Sequence, residues 1–195
     1  HFAVHVSPAF YFLLPFYMLF PSPLTLLIAQ GVVVASGIVP LYLLARKLGL
    51  GTKVSLTAAV CYAAYPALST GCLYDLHENC FLAPLLLWMF CAYEYKRPVL
   101  TVVAALLVLS VKEDAAVYVA LFAVYILLSR KDWRCGLPLF GAALLWFGAA
   151  LAVLQLWGEG GMIGRYAAYQ YGDSGLLGVI KTLVVNPGYF LRHVL

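Results

Sequence analysis

The sequence predicts an all-α, polytopic transmembrane helical bundle of about six spans with flanking interfacial helices. Three observations predict it. Of 195 residues, 65% are hydrophobic and 10% charged, with a mean hydropathy of +0.95; a soluble domain carries about 45–50% apolar and about 25% charged residues. Apolar runs recur at 24–45, 54–68, 79–93, 99–111, 115–129 and 135–157. The basic residues gather in alternate connections between those runs. This composition excludes a soluble enzyme, a disordered chain and a disulfide-rich secreted module, because too little polar sequence exists to cover a soluble surface.

The elements follow in order. Ser7-Pro8 and Ser22-Pro23 each read as an N-cap serine followed by proline at the first helical position. The segment 8–20 between them is too short to span and is rich in Phe and Tyr, as an interfacial or re-entrant helix on the outer face would be. Residues 24–157 hold the six spans. A span needs about 20 residues, so the first and last runs are full length and the middle four are short. Tyr62, Tyr65, Trp88, Tyr93, Tyr95, Trp133 and Trp157 stand near run ends, where an aromatic belt extends them.

The stretch 99–129 carries Lys112-Glu113-Asp114 in its middle. As one helix it would be about 46 Å long against a hydrocarbon core of about 30 Å, with three charges near mid-membrane. It would also put the basic connections 94–98 and 130–134 on opposite sides. Two helices joined at an outward turn remove both conflicts. Residues 158–195 read as an outer loop with interfacial helices, one of them Leu176 to Val185, stopped by Asn186-Pro187. The whole chain 1–195 reads as a single transmembrane domain and as a fragment, since it opens at His1 without a signal peptide and closes as if inside a helix.

Orientation comes from eight of the twelve Lys and Arg. Arg46, Lys47 and Lys53, then Lys96 and Arg97, then Arg130, Lys131 and Arg134 fill three connections, while 69–78 and 158–175 hold only Arg165. The positive-inside rule makes the three basic connections cytoplasmic in a multi-pass plasma-membrane protein. The net charge of +4 is then topological and calls for no nucleic-acid partner; the partner is the lipid bilayer. Glu94 and Asp132 lie beside cytoplasmic basic residues as counter-ions.

The other six acids, and His1, His5 and His77, fall outward, and boundary charges of that kind are candidates for function. Asp75, His77 and Glu78 sit in one outer connection. A carboxylate and an imidazole there can shuttle a proton or hold a divalent metal ion, and alternatively cap the next helix. Lys112, Glu113 and Asp114 form a turn lacking Gly, Asn or Ser, which suggests packing against something polar. Lys112 could hold an anionic ligand while a carboxylate acts as base, or form an internal ion pair with a neighbouring acid. Arg165 with Tyr166, Tyr169 and Tyr171 could bind a phosphate and stack on a sugar, or belong to the aromatic belt. His5, four residues after His1, is a weaker ligand candidate. The five cysteines include no Cys-x-x-Cys; Cys72 and Cys80 flank the outer loop and could pair.

His5-x-Ser7-Pro8, Pro15-x-Tyr17, Pro40 to Arg46, Tyr65-Pro66, Asp75-x-His77-Glu78, Lys112-Glu113-Asp114-Ala115, Tyr171-Gly172-x-Ser174 and Asn186-Pro187 together resemble a bacterial and archaeal family of membrane proteins of unknown function. That family is grouped with the GT-C glycosyltransferases, the superfamily of protein O-mannosyltransferases and aminoarabinose transferases. The resemblance covers essentially the whole chain. It implies a GT-C-like bundle with an outer-face site that passes a sugar from a polyprenyl-phosphate carrier to an acceptor. In that role Asp75, Glu113 or Asp114 would be the base, His77 would orient the acceptor or bind a metal, Glu78 would belong to the catalytic group, and Lys112 and Arg165 would hold the lipid-linked phosphate, with His5 and Tyr166 as further binding residues. The resemblance also implies a further acidic residue upstream of His1. The alternatives are a membrane transporter and a non-catalytic membrane scaffold.

Overall fold

The structure is a computed structural model, and it describes residues 5–66, 68, 70–71, 75–157 and 175–194. Among the described residues the chain is helical, without strands. It forms two compact units: residues 7–148, and residues 1–6 with 149–195.

The larger unit opens with a 3-10 turn, Pro8–Leu13, running into α1, Leu14–Leu19. The two serine caps then diverge. Ser22 is extended and accepts from the Leu24 N–H at 3.3 Å, with Pro23 in the first helical turn, as the sequence indicates. Ser7 precedes the first turn, but its hydroxyl makes no cap bond and is buried without a partner among the described residues.

Helices α2, Pro23–Ser36, and α3, Ile38–Lys47, continue each other through one turn residue, Gly37. The interruption has a local cause. Pro40 offers no N–H to the Ser36 carbonyl and its ring crowds that turn. Ser36 turns its hydroxyl back to the Val33 carbonyl at 2.6 Å and accepts the Trp88 indole N–H at 3.1 Å. Then come α4, Thr52–Ala63; a 3-10 turn, Glu78–Phe81; α5, Leu82–Glu94; α6, Pro98–Val111; α7, Ala115–Tyr125, closed by a π turn Ile126–Arg130; and α8, Trp133–Trp157, of which the residues up to Gly148 belong to this unit.

The 99–129 stretch is thus two helices, broken where Lys112 becomes extended at φ −163°, ψ 163°. By length and composition two described helices could cross a membrane, Pro23–Lys47 and Trp133–Trp157, at 25 residues each. The other apolar helices of this unit are shorter. The core is built where α5, α6 and α7 pack with the first part of α8, around Met89, Val108, Val119, Phe122, Ala123, Ile126 and Ala143. Small residues at Ala104, Ala105, Ala115, Ala116 and Ala123 sit in that core and suit the close approach of its helices.

The three basic connections lie at one end of this unit. Arg130 pairs with Glu94, and Lys47 stacks over Tyr95 at 5.3 Å while the Tyr95 hydroxyl donates to the Leu43 carbonyl at 3.2 Å. Glu94 is therefore the counter-ion the sequence suggests. Asp132 does a different job, capping α8 by accepting from the Cys135 N–H at 3.2 Å. The helix ends here close through left-handed residues at Gly49, Lys96 and Lys131.

In the smaller unit, α9, Gly175–Val185, and α10, Pro187–Val194, meet at Asn186, whose side-chain oxygen accepts from the Tyr189 N–H at 3.2 Å. The stop at Asn186-Pro187 falls where the sequence places it.

Candidate functional site

The two polar motifs meet at the end of the larger unit away from the basic connections. The 75–77 segment is extended at His77 (φ −131°, ψ 123°), and the second 3-10 turn begins at Glu78. Its course is held by Gln30 of α2, a side chain with no solvent exposure. Gln30 Nε2 donates to the Asp75 carbonyl at 2.9 Å, and its Oε1 accepts from the His77 N–H at 2.8 Å. A single amide side chain thus substitutes for a backbone partner on both sides of Leu76.

That clamp sets Glu78 against the α6–α7 turn. Glu78 Oε1 lies 3.6 Å from Lys112 Nζ, and Oε2 lies 3.2 Å from His77 Nδ1. The Glu78 and Lys112 side chains are only 9% and 13% exposed, whereas His77 is 59% exposed. Burial pushes the Glu78 carboxyl upward, but its own backbone N–H, His77 and Lys112 outweigh this and hold it below the usual carboxylate range. Beneath the pair, Phe81 and Val111 pack with Leu13 in a small apolar cluster. The 3.6 Å separation exceeds that of a charge-assisted hydrogen bond, about 2.7–2.9 Å, so Lys112 is attracted to Glu78 without being committed to it.

The rest of the turn is packed as well. The Trp146 indole N–H reaches the Lys112 carbonyl at 3.4 Å, and Glu113 is 2% exposed. Asp114 precedes α7 but makes no side-chain cap bond, and its Oδ1 is buried with no hydrogen-bond partner among the described residues. A buried carboxylate oxygen left this way costs on the order of 1–3 kcal/mol or more, which a hydroxyl or amine donor arriving at the site would recover.

Glu78, His77 and Lys112 come together, with Asp114 two residues from Lys112 in the same turn. Asp75 is exposed, and its Oδ1 accepts from the Leu76 N–H at 2.7 Å, so its carboxylate closes a local turn. His5 belongs to the other unit. Arg165, Tyr166 and His1 lie outside the described residues, as does Cys72 of the suggested cysteine pair. His77 and Glu78 offer one imidazole and one carboxylate, and among the described residues no group of three or more His, Cys, Asp or Glu gathers as a metal site.

Sequence reasoning missed Gln30 and Trp146. Both had a readable signal, since each is a polar-tipped side chain inside a long apolar run, where such groups are expensive unless partnered.

A family model described as "Predicted membrane protein (DUF2079)" matches residues 1–195. No curated protein and no solved structure matches the chain.

Proposed function

The chain belongs to the DUF2079 family of predicted membrane proteins, and on that premise we propose that it is a membrane glycosyltransferase-like protein with a GT-C-like arrangement. It takes a sugar from a polyprenyl-phosphate carrier at the outer face of the plasma membrane. In this reading 23–47, 54–68, α5, α6, α7 and α8 are six spans, the short ones crossing a locally thinned bilayer. The basic end faces the cytoplasm and the Glu78–Lys112 end faces outward.

The buried, unpartnered Asp114 oxygen carries the proposal. In the transfer, an acceptor hydroxyl attacks the anomeric carbon and its proton passes to the Asp114 carboxylate. The sugar–oxygen bond to phosphate breaks with its electron pair, which leaves on the polyprenyl phosphate. Lys112 lies loosely against Glu78 and shares its charge with that departing phosphate. Glu78 is the positioning residue for Lys112 and for the His77 ring, and its depressed pKa suits that role better than that of a base.

The test uses the full-length protein in proteoliposomes with a radiolabelled polyprenyl-phosphate sugar and measures sugar release. Asp114→Asn is expected to lose about 10²–10⁴ in turnover, and Asp75→Asn to keep it. Undiminished turnover in Asp114→Asn sinks the assignment. A second reading, the non-catalytic scaffold, is favoured by the largely buried Lys112–Glu78 pair; it predicts no sugar release from any lipid-linked donor and loss of stability alone on breaking the pair.

A further inference from the structure

At the opposite, basic end, we propose that the groove over α5, between α3 and α6, seats an anionic phospholipid. One acyl chain lies in the groove, and the phosphate is held at its mouth by Arg97 and Lys47. The inference rests on the chain being a membrane protein and is independent of the transferase reading.

The groove encloses about 380 Å³. It runs from Tyr95 and Arg97, at the joint of α5 and α6, to Trp88 and Leu107, about 15 Å along α6 at 1.5 Å per residue. Its walls between those ends are apolar, with Leu43, Leu100 and Val103 among them. The polar atoms in the lining are mostly occupied. The Trp88 indole N–H donates to Ser36 and the Tyr95 hydroxyl to the Leu43 carbonyl. The Arg97 guanidinium, by contrast, has no hydrogen-bond or ion-pair partner among the described residues.

Charge selects the occupant. Lys47 lies over the ring of Tyr95, which lines the groove, and Lys96 lies over Tyr93 at 5.9 Å; neither has a carboxylate partner among the described residues. The acids of this end are already engaged, Glu94 by Arg130 and Asp132 by the first turn of α8. An apolar slot ending at an unpaired guanidinium, with a second cation on its aromatic wall, complements a molecule with a long chain and a phosphate monoanion. A zwitterionic lipid would bring a further cation to an already positive mouth.

The experiment titrates full-length protein in neutral detergent with phosphatidylglycerol, with phosphatidylcholine of the same chains, and with inorganic phosphate, and counts retained lipid by native mass spectrometry. Phosphatidylglycerol is expected to be retained over phosphatidylcholine, with no displacement by millimolar phosphate. Arg97→Gln should weaken retention about fivefold, the effect of one cation near a lipid phosphate. Val103→Trp, at a half-exposed wall position, should abolish retention with every cation intact. Lys131→Gln, at the same end but off the groove, should change nothing. Equal retention of the two lipids, displacement by phosphate, an undiminished Val103→Trp, or an equal loss in Lys131→Gln would each overturn the proposal.

Discussion

Replacing Gln30 with Met should loosen the candidate site without touching any charged residue in it. Met fills nearly the same volume, so the apolar packing of α2 is kept. What disappears is the 2.9 Å bond to the Asp75 carbonyl and the 2.8 Å bond from the His77 N–H. Each such bond contributes about 0.5–1.5 kcal/mol net, and the stranded backbone groups border an exposed residue on either side, so water can reach them in part. The expected loss is about 2 kcal/mol, a fall in Tm of roughly 4–8 °C for a chain of this size. Thermal unfolding of the full-length protein in detergent measures the loss, and hydrogen exchange at the His77 amide locates it. Gln30→Glu should cost more, since it keeps the acceptor but removes the donor and places a charge where there is no solvent exposure. The clamp is refuted if Gln30→Met stays within about 0.5 kcal/mol of the parent, or if stability falls while His77 exchange is unchanged.

Breaking the Lys112–Glu78 pair from one side, with Lys112→Met, should destabilise by about 3–5 kcal/mol, and adding Glu78→Gln should recover much of it; a double-mutant cycle showing no coupling would contradict the pairing. The depressed Glu78 pKa carries a pH signature. The proton leaves at lower pH in the folded chain than in the unfolded one, so the stabilisation is full above the ordinary carboxylate value and disappears as pH falls through the lowered folded value. Acid titration of unfolding should therefore show a shallower acid limb in Glu78→Gln than in the parent. Gly37→Ala should cost about 1–3 kcal/mol, because the new Cβ falls on the Tyr62 hydroxyl that bonds the Val34 carbonyl; the unfolding midpoint of the variant, compared with Gly31→Ala where nothing lies within 4 Å, checks it.

Much of the helical plan was legible because membrane segments write themselves in composition and length. The break at Lys112–Asp114 followed from charge cost and from the side on which Arg97 and Arg130 must lie, and α6 and α7 part there. Ser22 read correctly as a cap and Ser7 did not, although both precede proline. Capping needs the hydroxyl to reach a free N–H, and a sequence records the residue without its torsions.

The candidate site was legible as two motifs and illegible as one place. Residue types and scarcity of charge marked Glu78 and Lys112 separately. Their pairing spans 34 positions in sequence and depends on Gln30, 47 positions before His77, pulling the 75–77 segment down. Asp75, at the head of its motif, uses its carboxylate in its own turn, while Asp114 keeps a buried oxygen unbonded among the described residues.

The sequence by itself determined that this protein is helical, apolar enough for a membrane, and divided into a basic and an acidic population of connections, because hydropathy, proline position and charge cost act locally along the chain. Only the tertiary structure decided which of those few charges are engaged and which are left over. Ion pairs and hydrogen bonds are matters of a few ångströms across helices far apart in sequence, and no local pattern encodes that distance.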